Sequence, residues 1–320
     1  MISLLGRQKV IAENVNATLS QSELLTNEFA NYLVNQRGLA QSTVRCYSEF
    51  VLRFLKAKNL DGGFSVSSLS ADDVIDFVRN EARAFRSKRG KLVTSALRSF
   101  LRFARYHNYI PIDLACAVPA VPCWSLTTIP KALNKEHVEA ILHHTEHNSC
   151  LGLRDYAILL LLARLGLRAG EVANLLLDDL DWQEGSIRIR GKGGQYSKLP
   201  IPKDVGEAIV EYLQNGRLAT EDSRAVFLRC RSPHVAFKSG VVVGNVVKRA
   251  LKRAGINSRR NGAHQLRHAL ACEMLRAGAS LSEIGELLRH HAPQSTMIYA
   301  KVDESSLRSL ALPWPGGDRA

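Results

Sequence analysis

A mainly α-helical chain in two domains, carrying one small β-hairpin or sheet, is what this sequence predicts. Three observations lead there. Between residues 17 and 108 the apolar residues recur at helical spacing, and no stretch alternates as a strand would. Prolines then cluster at Pro111, Pro119 and Pro122, with Pro130 just beyond, a composition that breaks helix and favours an extended connector. After them helical patterns resume, interrupted by one alternating segment around a glycine-rich turn. The expected division is a mobile arm at 1–16, a helical bundle at 17–108, a proline-rich linker at 109–127, an α+β domain at 128–312 and a tail at 313–320. A chain of 320 residues is long enough for two such domains with separate cores.

The first domain reads as four helices. Ser20-Gln-Ser-Glu23 is a capping box, in which the serine oxygen and the glutamate carboxylate each satisfy a free backbone N–H. Leu24, Leu25, Phe29, Tyr32 and Leu33 follow as an apolar stripe, and Gly38 ends it. Ser42-Thr43 starts a second helix with Tyr47, Phe50, Val51, Phe54 and Leu55 inward, closed by the turn Asp61-Gly62-Gly63. Ser70 caps a third, through Val74, Phe77 and Val78. A fourth, from about Gly90, turns Val93, Leu97, Phe100 and Ala104 inward.

The outer face of that bundle is basic. From Arg79 to Arg105 nine side chains are Lys or Arg, and Glu81 is the only acid among them. A charge run is ordinarily a solvated face, but a solvated face mixes signs. Lys91, Arg98, Arg102 and Arg105 recur at helical spacing beside the apolar stripe, as contacts to a phosphate backbone would. The whole chain carries a formal net charge of +13, which favours a polyanionic partner, double-stranded DNA above all.

In the second domain Asn134 caps a helix through Val138, Ile141 and Leu142. His143, His144, His147 and Cys150 crowd its end, but no glutamate is spaced to act as a base beside a metal, so they read as a solvated helix end and no metal is expected. Residues 153–165 are apolar on all sides, a core helix. Arg168 leaves it with Glu171 three positions on, an ordinary ion-pair partner, although the guanidinium fork also matches two phosphate oxygens. Strands at Ser186–Arg190 and Lys198–Pro202 flank Gly191-Lys192-Gly193-Gly194, which lacks the spacing of a nucleotide-binding P-loop. Helices resume at about 204–213 and 241–254. His264 and Arg267 then share one helix face. A second capping box, Ser280-Leu-Ser-Glu283, opens a helix that ends near His290, and Tyr299 rides on a short element after Pro293.

The apolar run Tyr156–Ala163 is too short to span a bilayer, and the start of the chain has no leader pattern. Six scattered cysteines, Cys46, Cys116, Cys123, Cys150, Cys230 and Cys272, form no framework and fit reduced thiols in a cytoplasmic protein.

Taken in order, Leu165-Gly-Leu-Arg168-Ala-Gly-Glu171, the hairpin Lys192, His264-x-x-Arg267, Leu287-Leu-Arg-His290 and Ile298-Tyr299 resemble the signature of the tyrosine recombinases, the phage-integrase family. The chain departs from that pattern at Arg289, where the family usually has glycine. The resemblance implies a helical core-binding domain followed by a catalytic domain, and a compact enzyme of the Xer or transposon type. It implies that Tyr299 attacks a DNA phosphate to give a 3′-phosphotyrosyl link, with Arg168, Lys192, His264, Arg267 and His290 as the catalytic set and Glu171 orienting Arg168. Because the bond energy is kept in the covalent link, no cofactor is needed. It further implies a head-to-tail tetramer on synapsed DNA through exchange of the C-terminal tail, with another recombinase subunit as an alternative partner. Two other readings stay open: a DNA-binding protein without catalysis, and a nicking and resealing enzyme of the topoisomerase IB kind.

Overall fold

The computed structural model describes residues 19–84, 87–121, 132–191, 194–218, 223–258, 262–290 and 295–302. The expected arm at 1–16, Trp124, Lys192 and the tail at 313–320 lie outside them. The chain divides into two compact units, Met1–Ser125 and Leu126–Ala320.

The first unit is helical throughout its described residues: α1 (Gln21–Asn35), α2 (Gln41–Ala57), α3 (Ala71–Ala84) and α4 (Ser87–Tyr106). The first capping box forms, with Ser20 Oγ accepting the Glu23 N–H at 3.3 Å and the Glu23 carboxylate accepting the Ser20 N–H at 3.1 Å. Four phenylalanines, Phe29, Phe54, Phe100 and Phe103, fill the centre and are essentially solvent-free. Phe29 and Phe100 meet edge to face with centroids 5.5 Å apart, a geometry worth about 1 kcal/mol beyond the area it buries. Helix α4 starts three residues earlier than the sequence suggests. Gly90 lies inside it because Val121 packs where a side chain would begin, 3.0 Å from an ideal Cβ. Beyond α4, Leu114–Ala117 forms a 3-10 turn, and Ile110, Leu114, Ala115 and Val118 join the core of this unit. Glu81, the lone acid of the basic run, is buried and paired with Arg53 at 2.6 Å.

The second unit is built on α6 (Cys150–Arg164), which follows α5 (Lys135–His143). Ser149 Oγ caps α6 by accepting the Gly152 N–H at 3.0 Å, and from Leu153 to Ala163 its aliphatic residues are buried on every side. Asp155 is fully buried but takes hydrogen bonds from Arg154 and, at 2.7 Å, from Arg249 of a later helix, so its charge is satisfied. A five-residue helix α7 (Ala169–Ala173) precedes three antiparallel strands in the order β1 (Leu180–Asp181), β2 (Ser186–Arg190), β3 (Tyr196–Pro200). Ile187 pairs with Leu199 and Arg188 with Lys198, a register that sends Ile187, Ile189 and Leu199 to the core. The returning strand begins two residues sooner than expected, at Tyr196, because Arg190 and Tyr196 still pair although neither is buried. There follow α8 (Lys203–Glu211), extended by a π turn at Tyr212–Gly216, then α9 (Val241–Arg253), α10 (His264–Arg276), α11 (Leu281–Leu287) and a 3-10 turn at Tyr299–Val302. Ala271, Cys272, Ile284, Leu288 and Tyr299 make a small cluster that fixes the last elements to α10. Among the described residues no helix is long and apolar enough to cross a membrane, and no three His, Cys, Asp or Glu side chains gather as a metal site would need.

Candidate functional site

Arg168 lies at the start of α7, in an extended backbone conformation, just after the core helix has ended. Its neighbour Gly166 takes a φ of +57°, where any other side chain would be strained, and a Cβ there would stand 2.7 Å from Leu288. The chain therefore leaves α6 in a turn that packs against the end of α11. That close approach brings residues 166–171 to residues 288–290 and to α10.

Three guanidiniums meet at this junction. Arg168 donates from Nη1 to Glu171 Oε1 at 2.7 Å and from Nη2 to the Arg289 carbonyl at 3.0 Å, and its backbone N–H donates to Glu171 Oε2 at 2.8 Å. Arg267, on the first turn of α10 and only 4% exposed, donates to the backbone carbonyls of Gly166 and Leu288. Arg289 donates from Nη2 to Glu171 Oε2 at 2.9 Å and from Nη1 to the Leu287 carbonyl at 3.1 Å. Its φ is 53°, the left-handed value that glycine takes without strain, so the backbone there keeps a glycine-like turn.

The histidines border this cluster. His264 is the first residue of α10 and keeps an exposed edge, one turn before Arg267. His290 is half-buried, with Nδ1 2.8 Å from Thr296 Oγ1. Tyr299 is buried, and its hydroxyl lies 2.7 Å from Nδ1 of His268. A cleft of about 600 Å³ opens beside the cluster, lined among others by Arg289, His290, Thr296 and Ser197 of β3.

Charge in this region is unbalanced. Three arginines stand beside one carboxylate, which pairs with two of them, Arg168 and Arg289, and burial makes the excess positive charge costly. Arg267 is pulled down to about 10, by burial first and then by Arg168 and Arg289. His290 falls to about 4, by burial and then by Arg267 and Arg168. His264 is lowered by partial burial and the same two arginines. Burial pushes the Glu171 carboxyl up, but the Arg168 hydrogen bonds and the Arg289 charge outweigh it and hold it below the usual range. Tyr299 is pushed up to about 12 by burial, against the pull of Arg267. Two imidazoles held toward the neutral form beside buried cations give the chemistry an oxygen-rich anion requires: positive charge together with hydrogen-bond donors.

Of the residues singled out in the sequence, Arg168, Glu171, His264, Arg267, His290 and Tyr299 fall within this one region, while Lys192 lies outside the described residues. The four basic residues of α4 divide. Lys91, Arg102 and Arg105 are exposed, whereas Arg98 is half-buried and donates to the Val118 carbonyl at 2.8 Å and the Pro119 carbonyl at 3.4 Å, tying the helix to the segment beyond it. Two residues of the site had no role assigned from sequence. His268 meets Tyr299, and its place one helical turn after His264 was a usable signal. Arg289 stood out only as a departure from a motif.

Comparison with known proteins gives one consistent result. The model described as the phage integrase family matches residues 131–306, and that described as phage integrase, N-terminal SAM-like domain, matches residues 26–108. The putative integrase/recombinase y4rA of Sinorhizobium fredii is 47% identical over 318 residues, 99% of this chain and 77% of the relative. Tyrosine recombinase XerA of Pyrococcus furiosus is 31% identical over 289 residues, 90% of this chain and 92% of the relative. Among solved structures, the XerH site-specific recombinase bound to a palindromic difH substrate, a post-cleavage complex, has a TM-score of 0.71 at 19% identity, covering 90% of this chain and 84% of that one. A lambda integrase dimer (residues 75–356) bound to a COC′ core site has a TM-score of 0.65 at 16% identity, covering 86% and 94%. At these identities the structural likeness speaks for the fold.

Proposed function

The chain belongs to the phage integrase family, and from that premise we propose that it is a site-specific DNA recombinase that cleaves and rejoins double-stranded DNA through Tyr299. The observation that carries this reading is the convergence of Arg168 and Arg289 on the Glu171 carboxylate, with Arg267 pinned beside them by backbone carbonyls and His264, His290 and Tyr299 at the border.

In this reading the scissile phosphate brings the missing negative charge. Arg168 and Arg267 hold its non-bridging oxygens, and His264 and His290, neutral at pH 7, donate hydrogen bonds to them. Tyr299 Oη attacks phosphorus, forming the 3′-phosphotyrosyl bond as the bond to the 5′-oxygen breaks. The phenolic proton passes to His268 Nδ1, which lies 2.7 Å from the hydroxyl, and Lys192 gives a proton to the leaving 5′-oxygen. A 5′-hydroxyl from a partner duplex then reverses the step. Burial pushes the Tyr299 hydroxyl up to about 12, so the attack is coupled to that proton transfer. The exposed Lys91, Arg102 and Arg105 supply sequence-independent contacts to the DNA backbone. Assembly as a cyclic tetramer through the C-terminal tail, and a cytoplasmic location where the DNA lies, complete the proposal.

The test is a nicked suicide duplex carrying the recombination site from the flanking genome. The wild-type protein should form an adduct that survives denaturing gel electrophoresis, and Tyr299→Phe should bind the same DNA and form none. An adduct on the Phe variant would transfer the nucleophile to another tyrosine, Tyr196 first, since it is 59% exposed on β3.

A further inference from the structure

Arg289 is held at a cost that its surroundings do not explain as packing. Its backbone sits at a left-handed φ of 53°, which disfavours any side chain. Its guanidinium is buried, and among the described residues the Nε–H there has no hydrogen-bond partner. A strained backbone and an incompletely satisfied buried cation at one residue point to a role rather than to stability. What Arg289 reaches is Glu171 Oε2, at 2.9 Å, on the carboxylate whose other oxygen takes the 2.7 Å hydrogen bond of Arg168.

We propose that Arg289 is a positioning residue that neutralises Glu171, so that Arg168 keeps its positive charge available to the scissile phosphate. This rests on the recombinase reading given above. Without Arg289, Arg168 and Glu171 are a closed pair with no net charge, and an incoming phosphate must compete with a carboxylate for one guanidinium. With Arg289 the three side chains carry a net single positive charge, and Glu171 divides its hydrogen bonds between two cations. Glu171 still fixes Arg168 in place through the backbone N–H at 2.8 Å. Orientation and charge are thereby separated: the carboxylate sets where Arg168 stands, and Arg289 cancels the electrostatic penalty of having it there.

The experiment measures single-turnover formation of the covalent adduct by wild-type, Arg289→Gly and Arg289→Lys proteins. Each acts on two suicide duplexes, one with the native phosphate and one in which a methyl group replaces a non-bridging oxygen of that phosphate and removes its charge. Glycine suits the left-handed backbone, so the fold should survive, and a thermal melt checks that it does. On the native phosphate, Arg289→Gly should cleave about tenfold more slowly, while Arg289→Lys, which restores the charge, should stay within about threefold of wild type. On the uncharged duplex the wild-type and glycine proteins should differ by less than about twofold, because there is no phosphate charge for the extra cation to serve. Equal rates on the native phosphate would overturn the proposal, and so would an equal loss on both duplexes or a lysine variant as slow as the glycine one. If wild type forms no adduct on either duplex, the recombinase reading falls and the proposal falls with it; a wild-type adduct without a glycine defect removes the proposal alone.

Discussion

On α4 of the amino-terminal unit, Arg102 and Arg105 stand one turn apart in water, while in the carboxy-terminal unit Arg267 is 4% exposed and bonds to two backbone carbonyls. Both regions are basic, and both face an anion in the proposed function. What differs is the medium. Around an exposed arginine, water and salt screen the charge within about 10 Å, so its attraction is general and easily moved along a polyanion. Around Arg267 the solvent is gone, the side chain is pinned, and the field is aimed at one spot and is much less screened. In the proposed function the first unit holds DNA of any sequence and the second recognises a phosphate in one position.

The largest effect should come from disturbing the buried side. Arg267→Lys keeps a positive charge but loses the fork that spans the Gly166 and Leu288 carbonyls. Adduct formation on a suicide duplex should fall on the order of a hundredfold, with DNA affinity changed little. If affinity and cleavage fall together, the buried and exposed arginines do the same work and the contrast is false.

Altering the exposed side should do the converse. Arg102→Ala with Arg105→Ala should flatten the dependence of log affinity on log salt by about two, roughly one per phosphate contact, and leave cleavage of saturating DNA intact. Arg98→Ala sharpens the point. Its guanidinium is committed to Val118 and Pro119, so its removal should cost about 1 kcal/mol of stability and alter the salt slope less than either neighbour.

The smallest effect concerns pH and the DNA-free protein. His290 has a folded pKa of about 4 against an ordinary 6.5, so as pH falls the unfolded chain takes up the proton first. Stability is therefore lost between pH 6.5 and about 4 and stays level below that, so far as this group is concerned. His290→Gln should remove part of the decline, with a melting temperature that drops by roughly 3 °C less than wild type between those limits. Identical pH profiles would mean that the imidazole is not held among the cations.

The contrast also marks what the sequence made legible. Caps and periodicity operate within a turn or two, so both serine capping boxes, the inner face of α4 and the continuous core helix α6 could be placed from residue order alone. The site residues were legible as an ordered set through resemblance to a family, and through the one-turn spacing of His264 and Arg267. Their bonding was not. Arg168 meets the carbonyl of Arg289 across 121 positions and Arg289 meets Glu171 across 118, and no local pattern encodes such a pairing. Arg98 carried the same spacing signal as Arg102, yet a carbonyl twenty residues ahead claims it. Helical phase says which side a residue takes, and tertiary contact decides what it does there.

Several anchors of the arginine cluster are main-chain oxygens, those of Gly166, Leu287, Leu288 and Arg289. A peptide carbonyl is present whatever amino acid supplies it. At residues 166 and 289 substitutions are therefore filtered first by backbone shape: residue 166 must accept a positive φ and has no room for a Cβ beside Leu288, and residue 289 must reach the left-handed region at tolerable strain. Within that filter the carbonyl of residue 289 is kept for Arg168 whatever side chain stands there. A charged side chain can therefore stand at position 289 without displacing the backbone acceptors around it, and Glu171 is what that side chain meets.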